Sequence, residues 1–323
     1  GRTSTSAART RVRQLQSGWG QQQRLLPDDG AEDDFFGRTV ALAGETALVG
    51  APDVFGPAGG GSGLAYVFER SGERWSQQVT LVPDDIDEDD VLGSAVAVDD
   101  GTALVGAQHD DRSSGTNAGS VYVFERSGGS WSQQAKLRHD DGGNSDDDEF
   151  GVAVAVDGET ALVGAHHDDQ PNGPEAGSAF VFERSAGSWT QQAKLLPGNG
   201  DARDRFGNAV DLDGTTALVG AGSDDAAYVF ERADGSWTQQ ATLVPDDGDG
   251  GEQFGSAVAV AGDAALVGAW AAEGPNGASE VGSAYVFERS AGSWSQQATL
   301  TASTGFRGDR FGRAVALAAS GTT

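Results

Sequence analysis

Phe150-Gly-Val-Ala-Val-Ala-Val156, Ala161-Leu-Val-Gly-Ala165, Phe180-Val-Phe-Glu-Arg184 and Trp189-Thr-Gln-Gln192 are four phrases of one unit, and the chain repeats that unit almost six times. Its opening aromatic-glycine or leucine-glycine step falls at Phe36-Gly37, Leu92-Gly93, Phe150-Gly151, Phe206-Gly207, Phe254-Gly255 and Phe311-Gly312. Successive glycines are 56, 58, 56, 48 and 57 residues apart. A period of this size marks stacked supersecondary units, each too small to bury its own faces. The repeat therefore decides the fold.

Each phrase alternates with period two and is rich in β-branched or aromatic residues, so each reads as a strand. The first, as in Gly255-Ser-Ala-Val-Ala-Val260, sets alanine on one face and valine on the other. That pattern suits the crowded axis of a radial structure. The second is Ala-Leu-Val-Gly-Ala at 47–51, 103–107, 161–165, 217–221 and 265–269. The third carries Tyr66, Tyr122, Phe180, Tyr228 or Tyr285 ahead of Val-Phe-Glu-Arg. The fourth begins at Trp19, Trp75, Trp131, Trp189, Trp237 and Trp294 and runs through Gln-Gln to a leucine. Short Asp/Gly turns such as Asp157-Gly158-Glu159 separate the first strand from the second and fit antiparallel hairpins. No helical period occurs. Four-stranded meanders around an axis are the blades of a β-propeller, and the expected fold is all-β.

These same residues resemble FG-GAP repeats, the propeller units known from integrin α-subunits, in their prokaryotic form, over roughly residues 17–318. The resemblance implies a binding or adhesion module at the cell surface or outside the cell. It also implies a calcium loop, D-x-D/N-x-D-G-x-x-D, between the first two strands. Here that loop is cut to Gly44-Glu45-Thr46, Asp99-Asp100-Gly101-Thr102 or Gly262-Asp263-Ala264. Asp211-Leu-Asp213-Gly214 is the nearest remnant. A hard cation takes about six to eight oxygens, so the family's calcium site does not carry over.

The ends suggest how a ring closes. The chain opens on a fourth-type strand (Trp19 to Leu26) and finishes on a first-type strand (Phe311 to Ala318). Five complete blades plus a composite sixth, closed by N- and C-terminal strands, are expected; pairing of the termini would hide sheet edges. Residues 1–16 read as a tail with a partial strand over Thr10 to Gln16, 17–318 as one propeller domain, and 319–323 as a truncated end. No Ala-Leu-Val-Gly-Ala phrase serves the sixth position, and methionine is absent even at position 1. The expectation is a monomeric propeller within a longer protein, with six or seven blades open.

Composition narrows the partners. The 323 residues carry a net charge of −28, with two lysines, Lys136 and Lys194, against 49 acids. Such acidity argues against nucleic acid. The short apolar runs exclude a membrane span in this chain, and with no cysteine there is no thiolate chemistry. In an antiparallel meander, the loops between second and third strands emerge on the same side as the crossovers between blades. Those segments hold 34 of the 49 acids and five basic residues, Arg112, Arg203, Arg205, Arg307 and Arg310. One face is expected to carry the charge. Two readings stand: solvating decoration on a salt-adapted protein, or a face that binds cations or a cationic partner.

Within that face, three consecutive blades place a carboxylate pair at one offset after Gly-Ala: Asp110-Asp111, Asp168-Asp169 and Asp224-Asp225. His109 and His167 stand beside the first two pairs. Carboxylates with histidine can ligate Ca2+ or another divalent cation. These eight residues are the metal-site expectation. The Phe-Gly steps and tryptophans read as packing elements, the recurrent Glu-Arg as inter-blade ion pairs, and Asp211 as a carboxylate on the inner strand in need of a partner. No nucleophile-base motif, phosphate loop or G-x-S-x-G occurs. The functional expectation is an extracellular binding or scaffold module for a protein or glycan ligand. The alternatives are a metal-assisted hydrolase or lyase on the loop face, and a structural repeat in a surface assembly.

Overall fold

The computed structural model describes residues 21–30, 34–54, 56, 58–111, 115–139, 146–169, 173–248, 250–274 and 277–318. The expected tail 1–16, the strand over Thr10 to Gln16, Trp19, Arg112 and the 319–323 end lie outside the described residues.

Twenty strands form five four-stranded antiparallel sheets, each in simple chain order. Blade 1 contains β1 (Thr39–Ala43), β2 (Thr46–Ala51), β3 (Leu64–Ser71) and β4 (Arg74–Leu81). Blade 2 contains β5 (Leu92–Asp99), β6 (Thr102–Ala107), β7 (Ser120–Ser127) and β8 (Ser130–Leu137). In blade 3 the strands are β9 (Ala153–Asp157), β10 (Thr160–Ala165), β11 (Ser178–Ser185) and β12 (Ser188–Leu195). Blade 4 runs β13 (Ala209–Asp213), β14 (Thr216–Ala221), β15 (Ala226–Ala233) and β16 (Ser236–Leu243). Blade 5 runs β17 (Phe254–Ala261), β18 (Ala264–Ala269), β19 (Ser283–Ser290) and β20 (Ser293–Thr301). No described residue is helical. The fold is a β-propeller of four-stranded antiparallel blades.

The Gln-Gln phrase has a local cause. In every blade the pairing of third and fourth strands slips by one residue, opposing Val67 to Val79 but Phe68 to Gln77, so Gln78 is bulged out. The same slip recurs in the other four blades. The bulged glutamine folds back on the hydroxyl two residues earlier, as Gln78 Nε2 does to Ser76 Oγ at 2.8 Å. Its neighbour holds the chain leaving the preceding blade instead: Gln239 Oε1 accepts from Gly198 N–H and Gln296 Oε1 from Asp246 N–H. A bulge also twists an outer strand away from edge-to-edge pairing.

The hydrophobic core lies between blades. One cluster joins Leu162, Ala179, Val181 and Leu195 of blade 3 to Phe206, Val219, Tyr228 and Phe230 of blade 4, and equivalent clusters span the other junctions. Phe206 is fully buried and packs edge-on against Tyr228 at 5.5 Å and Phe230 at 5.9 Å. The two motif glycines meet across a junction. A Cβ on Gly164 would come within 1.9 Å of the Gly207 carbonyl oxygen, and Gly207 itself sits at φ +91°. Only residues without a side chain allow that backbone approach.

Charge also crosses the junctions. Arg126 pairs with Glu69, Arg184 with Glu125 and Arg232 with Glu183, at 2.6–2.7 Å, and Arg289 with Glu231. Each arginine thus reaches the glutamate of the preceding blade, and the expected inter-blade role of Glu-Arg holds. At the same end of the sheets, Asp99 accepts from Gly158 N–H, Asp157 from Gly214 N–H and Asp213 from Gly262 N–H.

The described parts of the terminal segments flank the array. Gln23 exchanges two hydrogen bonds with the Trp75 backbone, and Asp28 N–H donates to Gln77 Oε1. Residues 21–28 thereby occupy the site on β4 that a preceding fourth strand would take. At the other end, the Gly312 carbonyl packs on Gly268 as Gly207 does on Gly164. Among the described residues, however, 21–27 and 313–318 are not strands. The first strand of blade 1 is correspondingly bare: Val40 and Leu42 are 69% and 67% exposed, whereas their equivalents Val258 and Leu212 are 9% and 7% exposed.

Candidate functional site

Each loop between second and third strands is laced to the following crossover. Glu149 N–H donates to Asn117 O and Phe150 N–H to Ala118 O; Arg205 N–H donates to Glu175 O and Phe206 N–H to Ala176 O. These bonds hold the two loop sets together at one end of the sheets. The turns between first and second strands bond elsewhere, to the far end of the third strand, as Arg126 N–H does to Gly101 O.

Not all acids in these loops face water. The residue two before each Phe/Leu-Gly step is acidic in all six units: Asp34, Asp90, Asp148, Asp204, Glu252 and Asp309. The first four are buried. Asp90 and Asp204 accept the backbone N–H three residues earlier, at 2.6 Å each, and Asp309 does so at 2.8 Å. Carboxylates here tie the crossover into a turn. Burial, with Asp110 and Asp87 nearby, raises the Asp90 pKa to about 6, against the pull of the Asp87 N–H and Lys136.

The three expected carboxylate pairs divide their labour in the same way. Asp110 is buried and ion-paired to Lys136 at 2.9 Å; Asp168 is buried and paired to Lys194 at 2.7 Å. Lys136 also contacts Asp85 at 2.8 Å and lies 4.7 Å above the Tyr122 ring. In blade 4, Tyr228 Oη donates to Asp224 at 2.6 Å. Two of the second members close their own loops, Asp111 accepting from Asn117 N–H and Asp169 from Glu175 N–H, whereas Asp225 accepts from Phe254 N–H at the start of blade 5. The two lysines of the chain thus sit under the loop face, against its innermost carboxylates. Asp211 has its partner as well, accepting Val260 N–H of blade 5 at 2.7 Å.

His109 and His167 turn to a residue the sequence did not single out. Glu149, just before Phe150, lies 3.8 Å from His109 Nε2, 3.6 Å from His166 Nε2 and 3.4 Å from His167 Nδ1. Gln108 Nε2 donates to Glu149 Oε2 at 3.3 Å and lies 3.2 Å from His109 Nε2. Among the described residues, Glu149, His166 and His167 form the group of three metal-competent side chains whose donor atoms lie within 4.8 Å of one another. Burial opposes ionisation of Glu149, but the His167 hydrogen bond and the three imidazoles carry its pKa below the usual carboxylate range. Burial and the neighbouring His167 hold His166 at about 4, whereas the hydrogen bond with Glu149 raises His167.

A second concavity lies on blade 5. A cavity of about 700 Å3 is lined by Glu252, Trp270, Glu273 and Glu280 together with Gly251 and Ala271. Arg310 stacks over Trp270 at 4.8 Å and pairs with Glu280 at 2.9 Å. Trp270 is the seventh tryptophan, the one out of phase with the six that open the fourth strands. That break in phase was the signal available in the sequence. For Glu149 there was none beyond its place in an acidic run.

Comparison with known proteins agrees with the geometry. The FG-GAP repeat family model matches residues 19–68, 75–124, 131–182, 189–230, 237–287 and 294–322. A chain in the crystal structure of a mitotic checkpoint complex is 14% identical, with a TM-score of 0.52 over 85% of this chain and 65% of that one. A putative 6-phosphogluconolactonase from Bacteroides uniformis is 10% identical, with a TM-score of 0.54 over 82% of this chain and 72% of that one. At these identities the likeness is one of fold. No match was found among curated proteins. With six matched repeats covering most of its length and blades built from them, this chain belongs to the FG-GAP repeat family.

Proposed function

We propose that this chain is an extracellular or cell-surface binding module whose acidic loop face receives a positively charged segment of a partner protein. Residues 17–318 act in this reading as one monomeric propeller domain within a longer, salt-adapted protein. FG-GAP repeats typically occur in extracellular or surface proteins, and propellers generally bind proteins.

The observation that carries the reading is the blade 5 cavity. Three glutamates and a tryptophan ring converge there, the chemistry that receives a lysine or arginine side chain through ion pairing and cation–π contact. Arg310, stacked on Trp270, already shows the ring in that role within the chain. The surrounding acids would steer a basic partner at low ionic strength; at about 1 M salt, where the Debye length is about 3 Å, only close contacts would persist.

Calorimetric titration with a lysine/arginine-rich peptide, at low salt and in molar sodium chloride, tests this. Binding that weakens but survives in high salt, and that falls at least tenfold in Trp270→Ala and Glu273→Gln, is expected. Binding unaffected by both substitutions would overturn it.

A further inference from the structure

We propose that the loop ends of blades 2 and 3 form a binding site for a divalent transition-metal ion of the zinc class, held by Glu149, His166, His167 and His109. The site goes beyond the partner-binding reading and stands apart from it, at a different junction and for a different ligand.

The residue count is the first argument. The chain has four histidines in 323 residues, and three of them surround one carboxylate. These histidines and Glu149 come from three separate segments: the loop after β6, the crossover into blade 3 and the loop after β10. The repeat does not demand them. At the positions of His166 and His167, blade 4 has Gly222 and Ser223 and blade 5 has Trp270 and Ala271. Where blade 3 has Glu149, those blades have Arg205 and Gln253. A structural need shared by all junctions would have left the same side chains at each.

Geometry is the second. Tetrahedral zinc with ligand bonds of about 2.0–2.2 Å sets its donors about 3.3–3.5 Å apart. The imidazole nitrogens of His167, His166 and His109 lie 3.4, 3.6 and 3.8 Å from the Glu149 oxygens. The donors of Glu149, His166 and His167 all lie within 4.8 Å of one another, and His109 completes the set by turning toward that group. The nitrogen–oxygen donor set suits zinc, copper or nickel and not calcium, which takes oxygens. The Gln108 amide, donating to Glu149, holds the carboxylate in place as outer hydrogen bonds commonly do for a metal ligand.

Partial access is the third. Side-chain exposures of 14% for His166, 17% for Glu149, 23% for His167 and 35% for His109 leave an entry route on the His109 side.

The test uses the full chain, stripped with chelator and titrated with zinc chloride in molar sodium chloride, where diffuse attraction is screened. One ion per chain is expected, with no competition from a large excess of calcium. Cobalt(II) should give the intense visible absorption of tetrahedral coordination. His166→Ala/His167→Ala should weaken binding at least 100-fold, and Asp169→Asn, on the same loop, should change it less than twofold. Should the double variant not fold, His109→Ala supplies the readout, with about tenfold weaker binding. Absence of a one-to-one ion, an octahedral cobalt spectrum, or equal losses in the histidine and Asp169 variants would overturn the assignment.

Discussion

Arg126 of blade 2 reaches back to Glu69 of blade 1, its Nη2 2.7 Å from Oε1. The contact repeats at each junction and always points the same way, from arginine to the preceding glutamate. At the front of the described array Arg70 pairs with Glu45 in its own blade, at 2.7 Å. These pairs are only partly shielded, so each contributes about 0.5–1 kcal/mol. A double-mutant cycle on Glu125→Gln and Arg184→Gln, read by urea unfolding, should give a coupling in that range that shrinks in molar salt. A salt-independent coupling would mean that water does not reach the pair.

Lys136 carries a heavier role. Its side chain is 11% exposed and Asp110 beside it 5% exposed. Removing the lysine leaves a buried carboxylate without its counter-charge, which costs about 3–5 kcal/mol. Lys136→Met should therefore be strongly destabilising, and Asp110→Asn placed on top of it should recover part of the loss. Thermal unfolding at neutral pH distinguishes this from mere loss of packing, which the second substitution would not relieve.

Asp211 gives stability an unusual pH dependence. Burial raises its pKa from 3.8 to about 6, despite the hydrogen bonds it accepts from the Val260 and Leu212 N–H groups. Between those values the folded chain holds a proton that the unfolded chain has lost. Stability from this group is thus full at low pH, falls as pH rises through about 6, and is about 3 kcal/mol lower above it. Asp211→Asn keeps an acceptor without the charge. It should be more stable than the wild type by up to about 3 kcal/mol at pH 7, and equal to it near pH 3.5. An offset that does not vary with pH would show that the charge is not the cause.

Leu42 and Leu212 occupy the same register position in β1 and β13, opposite Ala47 and Ala217. One is exposed and the other buried. Leu212→Ala should cost about 2–4 kcal/mol, and Leu42→Ala under about 0.5 kcal/mol. Equal costs in chemical denaturation would mean that something covers the face of β1 in solution.

Much of this was legible in the residues. Alternation and turn chemistry placed all twenty strands, and the repeat of Glu-Arg foretold the ladder. The bulge at Gln78 was not legible, because a slip of one residue in pairing leaves no mark in the alternation itself. Nor was the fate of the carboxylate pairs. Asp110-Asp111 reads as two equivalent ligands, yet one turns inward to Lys136 and the other outward to its own loop. Successive side chains leave the backbone in different directions, and which of them meets a cation depends on the neighbouring strand. His109 and His167 were singled out beside those pairs and lie against Glu149 instead.

The strand pattern, the antiparallel order and the gathering of blades about an axis were settled by the sequence, because period-two alternation and a fixed repeat are local properties of the chain. Beyond the Glu-Arg ladder, which charges face one another was settled by tertiary structure alone. The distance between Glu149 and three imidazoles from two other loops, like the burial of Asp211 against Val260, arises from the docking of one blade on the next. No stretch of residues contains that information by itself.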